Sequence, residues 1–586
     1  MERPTTSGAS PHDKRARTAS LPARPIHADR YASLGELLHD ALVQFKSETA
    51  LVEMDRKREH ARWSYLEVKR EAEALAGRLA ARGIGAGGRV AILMGNQGRW
   101  LIAACAAFFR GAVLVPIDYK LDPEEQQALL AHCGAEVLFT EYPLWRRLGS
   151  AQACHAIVSD VPEGTDPGGA ERWEDGPADA AAAAPPELVP RHRDDVATIV
   201  YSSGTGGRPK GCMLTHGNYL AQYQSLANLF PIVVGDRYFS ILPTNHAIDF
   251  MVGFLGPFGG GATVVHQRTL RPEMVRDTLR RCRITHMAVV PRILEGLERA
   301  VRERLEAQSP GKQRAFDLLR SLNATLTMKR PQHGLSRRLL APVHDAFGGH
   351  LRLVICGGAP VDADRARFFY ELGIPVVIGY GLTEAGTAVT VNDLSPFRAD
   401  SVGKPLEGME VAIRDADPDS GIGEVWVRGP TVMKGYLDEP ELTAQALVDG
   451  WLRTGDAGWI DASGQLHLVG RRKNMIVTAG GKNVYPEDVE GAFDGLPCEE
   501  LAVMAGGYLW PGAAASERLL LVVHRPGDGF EADLRARNRR LPEHKRIAGV
   551  LEWPASFPRT ASMKIKRDAL AEALRSGARA EQVREV

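Results

Sequence analysis

The sequence TIVYSSGTGGRPKG runs from Thr198 to Gly211 and begins with a short apolar run typical of a buried β-strand. Hydroxyl residues and glycines follow, and then Lys210. Backbone amides in a glycine-rich turn and hydroxyl groups are suited to surround phosphate oxygens, and a lysine adds positive charge. The phosphate loop of the common NTPases instead has Gly-x4-Gly-Lys-Ser/Thr at the start of a helix. A Gly/Ser segment alone is often only a surface turn, but Pro-Lys-Gly after a strand predicts a different kind of phosphate-binding loop.

Strand-like and helix-like segments alternate on both sides of this loop. Continuous apolar strands that alternate with helices are typical of buried, largely parallel sheets. The predicted fold class is therefore α/β, with a large two-lobed body. Before the loop we predict helices at 65–82 and 99–109 and strands at 89–94 and 112–117; after it we predict strands at 238–242, 262–266, 285–290, 351–356 and 375–378.

The scale of the pattern changes near Gly470, after which shorter strands (501–504 and 519–523) and a helix (530–540) indicate a compact α+β domain. We predict a large body over residues 31–470, in which 161–190 is a surface connector rich in Pro, Gly, acidic residues and Ala. Residues 471–586 form the predicted small domain. The polar, Pro-rich residues 1–30 predict a disordered tail, with a removable transit segment as the alternative.

Charge and cysteine content narrow the class of protein. Lys+Arg and Asp+Glu balance at 72 each, which gives no global field for nucleic acid. The seven cysteines are scattered without metal-ligand spacing, as expected for reduced thiols in the cytoplasm. The longest apolar stretch, 250–265, is interrupted by glycines and is shorter than the roughly 20 residues that span a bilayer. We expect a soluble, cytoplasmic protein.

The segment Gly83-Ile-Gly-Ala-Gly-Gly88 matches the G-x-G-x-x-G pattern of dinucleotide sites. That pattern requires a preceding strand and a following helix. Here the predicted order is reversed, so we interpret these glycines as a helix-to-strand turn.

Four segments occur in an order that resembles the adenylate-forming (AMP-binding) enzyme superfamily, and in particular its long-chain fatty acyl-CoA synthetases. They are SSGTGGRPKG from Ser202, GYGLTEAG from Gly379, GWLRTGDAGWID from Gly450 and PRTASMKIKRDAL from Pro558. The resemblance covers about residues 35–575. It implies a long-chain fatty acid–CoA ligase, in which a carboxylate and Mg·ATP give an acyl-adenylate and pyrophosphate, and CoA then displaces AMP. Delivery of the acyl group to a carrier-protein phosphopantetheine is the alternative that we keep; a non-catalytic homologue and a luciferase-type oxidoreductase are disfavoured.

The same resemblance assigns the nucleotide site. Tyr380 suits stacking on a purine, the Thr383 hydroxyl suits a phosphoryl or carboxyl oxygen, and the Glu384 carboxylate suits Mg²⁺. Thr205 would join Glu384 in catalysis and at the metal, although the family usually has a second threonine where this chain has Gly206. A plain strand-to-helix turn is the alternative for 379–386. The predicted ATP- and AMP-binding residues are Ser202, Ser203, Gly204, Thr205, Gly206, Lys210, Gly358, Ala359, Pro360, Gly379, Tyr380, Gly381, Thr383, Asp456 and Arg471.

Residues near the end of the chain are assigned in the same way. Asp456 and Arg471 would hold the ribose hydroxyls, and Lys473 would be the hinge on which the small domain moves. Lys564 would close onto ATP and the carboxylate, although Met563 stands where most members have glycine. A basic residue in a solvated K-I-K-R run is the alternative for Lys564. The loop Gly480, Gly481 and Lys482 would bind CoA.

LPTNHAID, from Leu242 to Asp249, matches the family segment at the mouth of the acyl pocket, with Asp249 where the long-chain branch usually has glutamate. His246 is a candidate catalytic residue there; a packing role is the equal alternative. Phe250, Met251 and Phe254 are candidate pocket residues.

Residues 312–338 contain seven Lys/Arg and one acidic residue. A solvated helix face is the usual explanation, and peripheral membrane contact is our hypothesis.

Overall fold

The structure is a computed structural model that describes residues 27–149, 154–175, 186–202, 209–477, 482–510, 518–559 and 565–586. The chain divides into two compact units. The first comprises the chain through Glu410 together with Val427–Leu452, and the second comprises Val411–Trp426 and Arg453–Val586. The predicted domain boundary at 470 stays a prediction.

The first unit contains a sheet of eight strands, six of which are mutually parallel. Strands Lys210–Thr215 and Gly435–Tyr436 extend one edge with antiparallel pairing. The parallel strands are almost fully buried, which explains their continuous apolar sequences. In spatial order the strands are Gly435–Tyr436, Lys210–Thr215, Val196–Ser202, Val113–Pro116, Arg89–Leu93, Val137–Glu141, His155–Ser159 and Glu171–Arg172.

A second sheet in the same unit has nine strands, with a parallel centre and antiparallel strands at both edges. These two sheets correspond to the predicted two-lobed α/β body, which is therefore confirmed. In spatial order the strands are Lys404–Pro405, Thr390–Val391, Val376–Tyr380, Leu353–Gly357, His286–Val289, Arg237–Ser240, Thr263–Gln267, Thr49–Asp55 and Arg58–Ser64.

Helices connect the strands of both sheets. The helix Tyr65–Ala81 begins at a capping box in which Ser64 and Glu67 exchange hydrogen bonds. It ends before Gly83 and Gly87, which have φ of 77° and 80° and lead into strand Arg89–Leu93, so the predicted helix-to-strand turn is confirmed. The longer helices of this unit are Leu34–Gln44, Tyr65–Ala81, Gly98–Phe109, Pro123–Cys133, Tyr142–Leu148, His216–Leu229, Pro272–Arg281, Pro291–Glu306, Pro310–Thr327, His333–Leu339, Ala341–Ala346, Ala363–Glu371 and Pro440–Ala446.

The segment 161–190 stays predicted as a surface connector, and part of its first half pairs with the eight-stranded sheet. Glu171–Arg172 pairs in parallel with strand His155–Ser159, and Trp173 packs edge-on against Phe139 at 5.7 Å. Burial of that indole explains why a Pro- and Gly-rich segment joins the sheet. Of the predicted tail, Ala28–Arg30 form a 3₁₀ turn with Ala28 buried, and residues 1–26 lie outside the described residues.

The second unit contains a four-stranded sheet and, from Arg453 onward, the strand Trp451–Ile460, which pairs in antiparallel with Leu466–Arg471. Alternate residues of strand Leu519–Pro526 pack into two separate apolar clusters, so both faces of this sheet are covered. The predicted α+β class is confirmed, whereas its mobility stays a prediction. The sheet consists of Cys498–Ala505, Leu519–Pro526, Ile547–Glu552 and Arg584–Glu585, and its principal helices are Pro486–Ala492, Phe530–Asn538 and Arg567–Gly577.

Candidate active site

The predicted phosphate loop connects two antiparallel strands, Val196–Ser202 and Lys210–Thr215. Ser202 and Lys210 are Cα partners, so both stand at the base of the loop. Ser203, Gly204, Thr205 and Gly206 lie outside the described residues, and their phosphate contacts stay predictions. This strand–loop–strand geometry differs from the strand–loop–helix of the common NTPases, as the sequence predicted.

Glu384 connects the two sheets of the first unit. It lies in the 3₁₀ turn Thr383–Ala385, which follows strand Val376–Tyr380 of the nine-stranded sheet. Its Oε1 accepts a hydrogen bond from Ser202 Oγ, at 3.2 Å, across to the eight-stranded sheet. Two residues separated by 182 positions, both predicted from sequence, are therefore brought together.

Tyr436 completes this cluster, and the sequence analysis missed it. Its hydroxyl donates to Glu384 Oε1 at 3.1 Å, and Lys210 Nζ lies 5.1 Å from the centre of its ring. Burial and the neighbouring Glu384 carboxylate raise the pKa of Tyr436, so the phenol remains a neutral donor. A lone Gly-Tyr pair is a weak sequence signal, since its position depends on the pairing of Tyr436 with Cys212.

The other predicted nucleotide-binding loops follow two neighbouring parallel strands. Gly357 and Gly379 are Cα partners at the carboxyl ends of Leu353–Gly357 and Val376–Tyr380. Open α/β sheets bind ligands at this edge. The predicted residues Gly358, Ala359 and Pro360 follow the first strand and are exposed.

Gly381 is sterically required at the second of these loops. A Cβ at this position would lie 1.8 Å from the carbonyl oxygen of Thr387. Tyr380, just before it, is buried, and Thr383 begins the turn that carries Glu384. The close backbone approach at Gly381 thus sets the path from the strand to Glu384.

Asp456 and Arg471 form an ion pair in the second unit. The Nε of Arg471 lies 2.7 Å from Asp456 Oδ1, and the two residues are Cα partners on antiparallel strands. Arg471 also donates to the carbonyl oxygen of Thr454 at 3.0 Å. Asp456 is 7% exposed. The two residues predicted to contact the ribose are therefore adjacent, and the ion pair fixes the orientation of both side chains.

The remaining candidates of the second unit are less defined. Lys473 is exposed in the 3₁₀ turn Arg472–Asn474, and Lys482 is exposed. Gly480, Gly481 and Lys564 lie outside the described residues, so their roles stay predictions.

His246 precedes the short helix Ala247–Asp249 and is about one-third exposed. Its Nε2 lies 3.8 Å from Oδ2 of Asp118, a mostly buried carboxylate that follows strand Val113–Pro116 and that sequence analysis did not select. Phe250 packs edge-on against Trp100 and Phe254 in a buried aromatic cluster. The pocket role of Phe250, Met251 and Phe254 stays a prediction.

The donors around Glu384 fit Mg²⁺. In the described part of the chain, both hydrogen bonds to this carboxylate are made to Oε1, and no cluster of three or more His, Cys, Asp or Glu could hold a metal alone. Mg²⁺ prefers one or two carboxylates together with substrate phosphates and water. Glu384, hydrogen-bonded to Ser202 at the base of the predicted phosphate loop, would meet this requirement.

In the first unit, Ser202 at the base of the predicted phosphate loop therefore donates a hydrogen bond to Glu384, which follows a strand of the second mainly parallel sheet. The family model described as AMP-binding enzyme matches residues 38–437. The chain therefore belongs to the AMP-binding enzyme family, and the resemblance in its sequence motifs is confirmed.

Similar proteins include CoA ligases of different acids. A feruloyl-CoA synthase from Amycolatopsis sp. is 32% identical over 512 residues, which cover 86% of this chain and 92% of that protein. The long-chain-fatty-acid–CoA ligase FadD15 of Mycobacterium bovis is 30% identical over 462 residues, covering 75% and 74%. The structure of Bacillus subtilis o-succinylbenzoate CoA synthetase with ATP and magnesium ion aligns with a TM-score of 0.69 at 24% identity, covering 91% and 98%. The last likeness shows the fold.

Proposed function

We propose that this enzyme is an ATP-dependent long-chain fatty acid–CoA ligase. The acid's carboxylate attacks the α-phosphorus of ATP, which forms acyl-adenylate and releases pyrophosphate. The CoA thiol then attacks the acyl carbon, the thioester forms, and AMP leaves. The observation that carries the adenylation step is the cluster of Ser202, Lys210, Glu384 and Tyr436 at the base of the phosphate loop.

The first step brings a carboxylate toward a polyanion, and fixed positive charge must offset the repulsion. Lys210 and the loop amides would supply charge and hydrogen bonds to the phosphates. Glu384, held by Ser202 and Tyr436, would ligate Mg²⁺, which neutralises phosphate charge when bound. Lys564 would approach the reacting oxygens during adenylation only.

The second step would use the second unit differently. Asp456 and Arg471 would keep the ribose of AMP bound, while Lys473 acts as the hinge that withdraws Lys564. Gly480, Gly481 and Lys482 would then line the entry of CoA. A change of domain orientation between half-reactions explains how one site admits ATP chemistry and then a thiol.

The choice of a long-chain acid has two supports. One relative is named as a long-chain-fatty-acid–CoA ligase, although the feruloyl-CoA synthase covers more of the chain. The second support is an exposed apolar ridge on helix Pro310–Thr327. Leu318, Leu322 and Leu326 recur every four residues and are 71%, 44% and 50% exposed, and Met328 follows at 61%.

The ridge is surrounded by basic residues. Lys312, Arg314 and Lys329 are exposed in the same segment, and its one acidic residue, Asp317, lies 3.5 Å from Arg320. We propose that this ridge contacts anionic membrane lipid, from which a long-chain acid would be taken. Apolar side chains with basic residues beside them fit the surface of an anionic membrane. Pairing of this ridge with the same ridge of a second copy would instead bring positive charges together. In the described residues no helix is long and apolar enough to cross a membrane.

Vesicle co-sedimentation tests the ridge. The wild type should pellet with phosphatidylcholine vesicles that contain phosphatidylglycerol, and Leu318→Glu/Leu322→Glu should pellet at least fivefold less. Leu270→Glu, at a position that is 54% exposed elsewhere, is the matched control. Binding that ignores phosphatidylglycerol or survives the double substitution would contradict the membrane contact. A concentration-dependent dimer lost in the same variant would assign the ridge to a second copy instead.

An acid panel tests the substrate class. ATP–pyrophosphate exchange should be fastest with an acid between C8 and C20 and much slower with ferulate or 2-succinylbenzoate. No exchange with any fatty acid, but exchange with an aryl acid, would overturn the long-chain assignment. Product analysis with CoA and with a holo-carrier protein separates the main proposal from its alternative, an acyl-AMP ligase that loads phosphopantetheine.

A further inference from the structure

Asp249 is a fully buried carboxyl group whose hydrogen-bond donors are hydroxyls. Its Oδ2 accepts from Ser240 Oγ at 2.6 Å and from Thr244 Oγ1 at 3.0 Å, and its Oδ1 accepts from the Tyr238 hydroxyl at 3.4 Å. Among the described residues no cation pairs with it. Burial raises the pKa of Asp249 to about 7, and the hydroxyl donors oppose this only in part. Burying a carboxyl without a cation costs folding free energy, which indicates a purpose other than stability.

The helix after Asp249 is shaped around the carboxyl. Phe250–Leu255 is a π-helical segment, and a Cβ at Gly253 would lie 2.4 Å from Asp249 Oδ1. A side chain at position 253 would therefore displace the carboxylate. Such π-helical turns occur frequently at functional sites.

Asn96, in the loop that follows strand Arg89–Leu93 of the eight-stranded sheet, holds the same segment. Its Nδ2 donates to Ser240 Oγ at 3.1 Å and to the carbonyl oxygen of Leu242 at 2.5 Å, and its Oδ1 accepts from the Thr244 amide at 2.9 Å. Asp249 and Asn96 thus share Ser240 and both contact Thr244. The turn formed by residues 242–246 is fixed from two sides.

The residues that directly follow the turn lie beside the segments that carry the candidate nucleotide loops. The side chain of Ile248, just after it, lies 3.7 Å from where a Cβ on Gly358 would stand, and Thr387 Oγ1 donates to the carbonyl oxygen of Ala247 at 3.0 Å. The turn ends at His246, the residue predicted at the mouth of the acyl pocket. A shift of this turn would therefore move the acid's binding site relative to the nucleotide.

We propose that Asp249 is a positioning residue for the acid substrate, and that it acts through Ser240 and Thr244 by fixing the turn 242–246 that carries His246. This inference rests on the proposed function, since it requires that an acid be adenylated beside this turn. It holds for any acid, whatever its chain length.

Thr244 offers a matched pair of variants. Thr244→Val removes the hydroxyl at nearly constant volume, whereas Thr244→Ser keeps it, and Asp249→Asn removes the carboxylate. In ATP–pyrophosphate exchange we expect Thr244→Val and Asp249→Asn to raise the KM for the acid about tenfold with less than a twofold change in the KM for ATP. Thr244→Ser should behave as wild type. An unchanged acid KM, or equal rises in both KM values, would overturn the proposal.

Hydrogen exchange of the amides of residues 242–248, measured without substrate, gives a second readout. Exchange should be about tenfold faster in Thr244→Val and Asp249→Asn than in wild type and Thr244→Ser. Unchanged exchange rates in the two variants would contradict the proposal that Asp249 and Thr244 fix the turn 242–246. If exchange is faster in both variants as expected but the wild type adenylates none of the acids tested, the proposed function is wrong. The conclusion that Asp249 fixes the turn 242–246 would still hold.

Discussion

Tyr436 donates its hydroxyl hydrogen to Oε1 of Glu384 at 3.1 Å, and the same oxygen accepts from Ser202 at 3.2 Å. One carboxylate oxygen is therefore held by hydroxyl groups from two strands of the eight-stranded sheet. In the described residues both hydrogen bonds to this carboxylate are made to that oxygen, and under the proposed function Oε2 would bind the Mg²⁺ of Mg·ATP. This arrangement makes the orientation of Glu384, rather than its charge alone, the property that the fold controls.

Tyr436→Phe removes one of these donors without changing the ring that lies beside Lys210. A lost hydrogen bond to a charged group is worth about 1.5–3 kcal/mol, so we expect the KM for Mg·ATP to rise at least about tenfold. The KM for the acid should change less. Tyr370→Phe, which removes a buried hydroxyl bonded to the carbonyl oxygen of Thr327, is the control. An equal KM for Mg·ATP in Tyr436→Phe and wild type would show that the Tyr436 hydroxyl does not contribute to the ATP site.

The Asp456–Arg471 pair predicts recognition of the ribose hydroxyls. The wild type should prefer ATP to 2′,3′-dideoxy-ATP in pyrophosphate exchange, because a carboxylate can accept hydrogen bonds from both ribose hydroxyls. Asp456→Asn should lose most of this preference, with an effect of about tenfold or more in kcat/KM for ATP. Asp461→Asn, in the turn that follows the same strand, is the control. If Asp456→Asn keeps the full preference, the ribose is bound elsewhere.

Two mostly buried Arg–Glu pairs flank the segment that contains Lys564. Arg559 Nη2 lies 2.7 Å from Glu500 Oε1, and Arg567 Nη2 lies 2.6 Å from Glu490 Oε1. The backbones of Arg559 and Ile565 also form an isolated antiparallel β-bridge. We expect Glu500→Gln to slow acyl-adenylate formation about tenfold or more, since a broken buried pair leaves a charge uncompensated. Thioester formation from supplied acyl-AMP should change little.

Glu499→Gln is the matched control for that variant, because Glu499 pairs with Arg525 at the exposed surface one residue away. Comparable losses in both half-reactions for Glu500→Gln would indicate general destabilisation and would contradict a specific role in adenylation.

Buried histidines predict loss of stability in acid. His266 is fully buried, and burial lowers its pKa to about 3, against 6.5 for the ordinary group. Between about pH 3 and pH 6.5 this histidine is protonated in the unfolded chain but neutral in the folded protein. The free energy of unfolding therefore rises with pH over this range, and stability is lost as pH falls below about 6.5. At pH 5 this costs about 2 kcal/mol for one such group.

His266→Gln should therefore show a smaller drop in denaturation midpoint between pH 7.5 and pH 5 than wild type. The exposed His60→Gln is the control and should leave the drop unchanged. A drop of equal size in His266→Gln and wild type would exclude this histidine as a source of acid sensitivity.

Much of this architecture could be predicted from the sequence, because strands buried on both faces leave continuous apolar runs between helices. The strand before Lys210 and the strand before Thr383 both lie where their sequences predicted them. The loops that follow them were predicted because glycines, hydroxyls and charged residues interrupt those runs.

The rest depends on contacts between distant parts of the chain. Tyr436 reaches Glu384 across 52 positions, and its two-residue strand has no pattern of its own. Asn96 contacts Thr244 across 148 positions. Hydrophobic periodicity in the sequence predicts helices and strands but not contacts between residues so far apart. The π-helical turn after Asp249 is likewise not predictable, because it depends on packing around a buried carboxyl group.

Product stoichiometry in the absence of CoA tests the central claim most directly. Enzyme incubated with α-labelled Mg·ATP and its acid should form enzyme-bound acyl-AMP and one pyrophosphate per adenylate, and Lys564→Ala should abolish both. Release of ADP and phosphate in place of pyrophosphate would contradict the account.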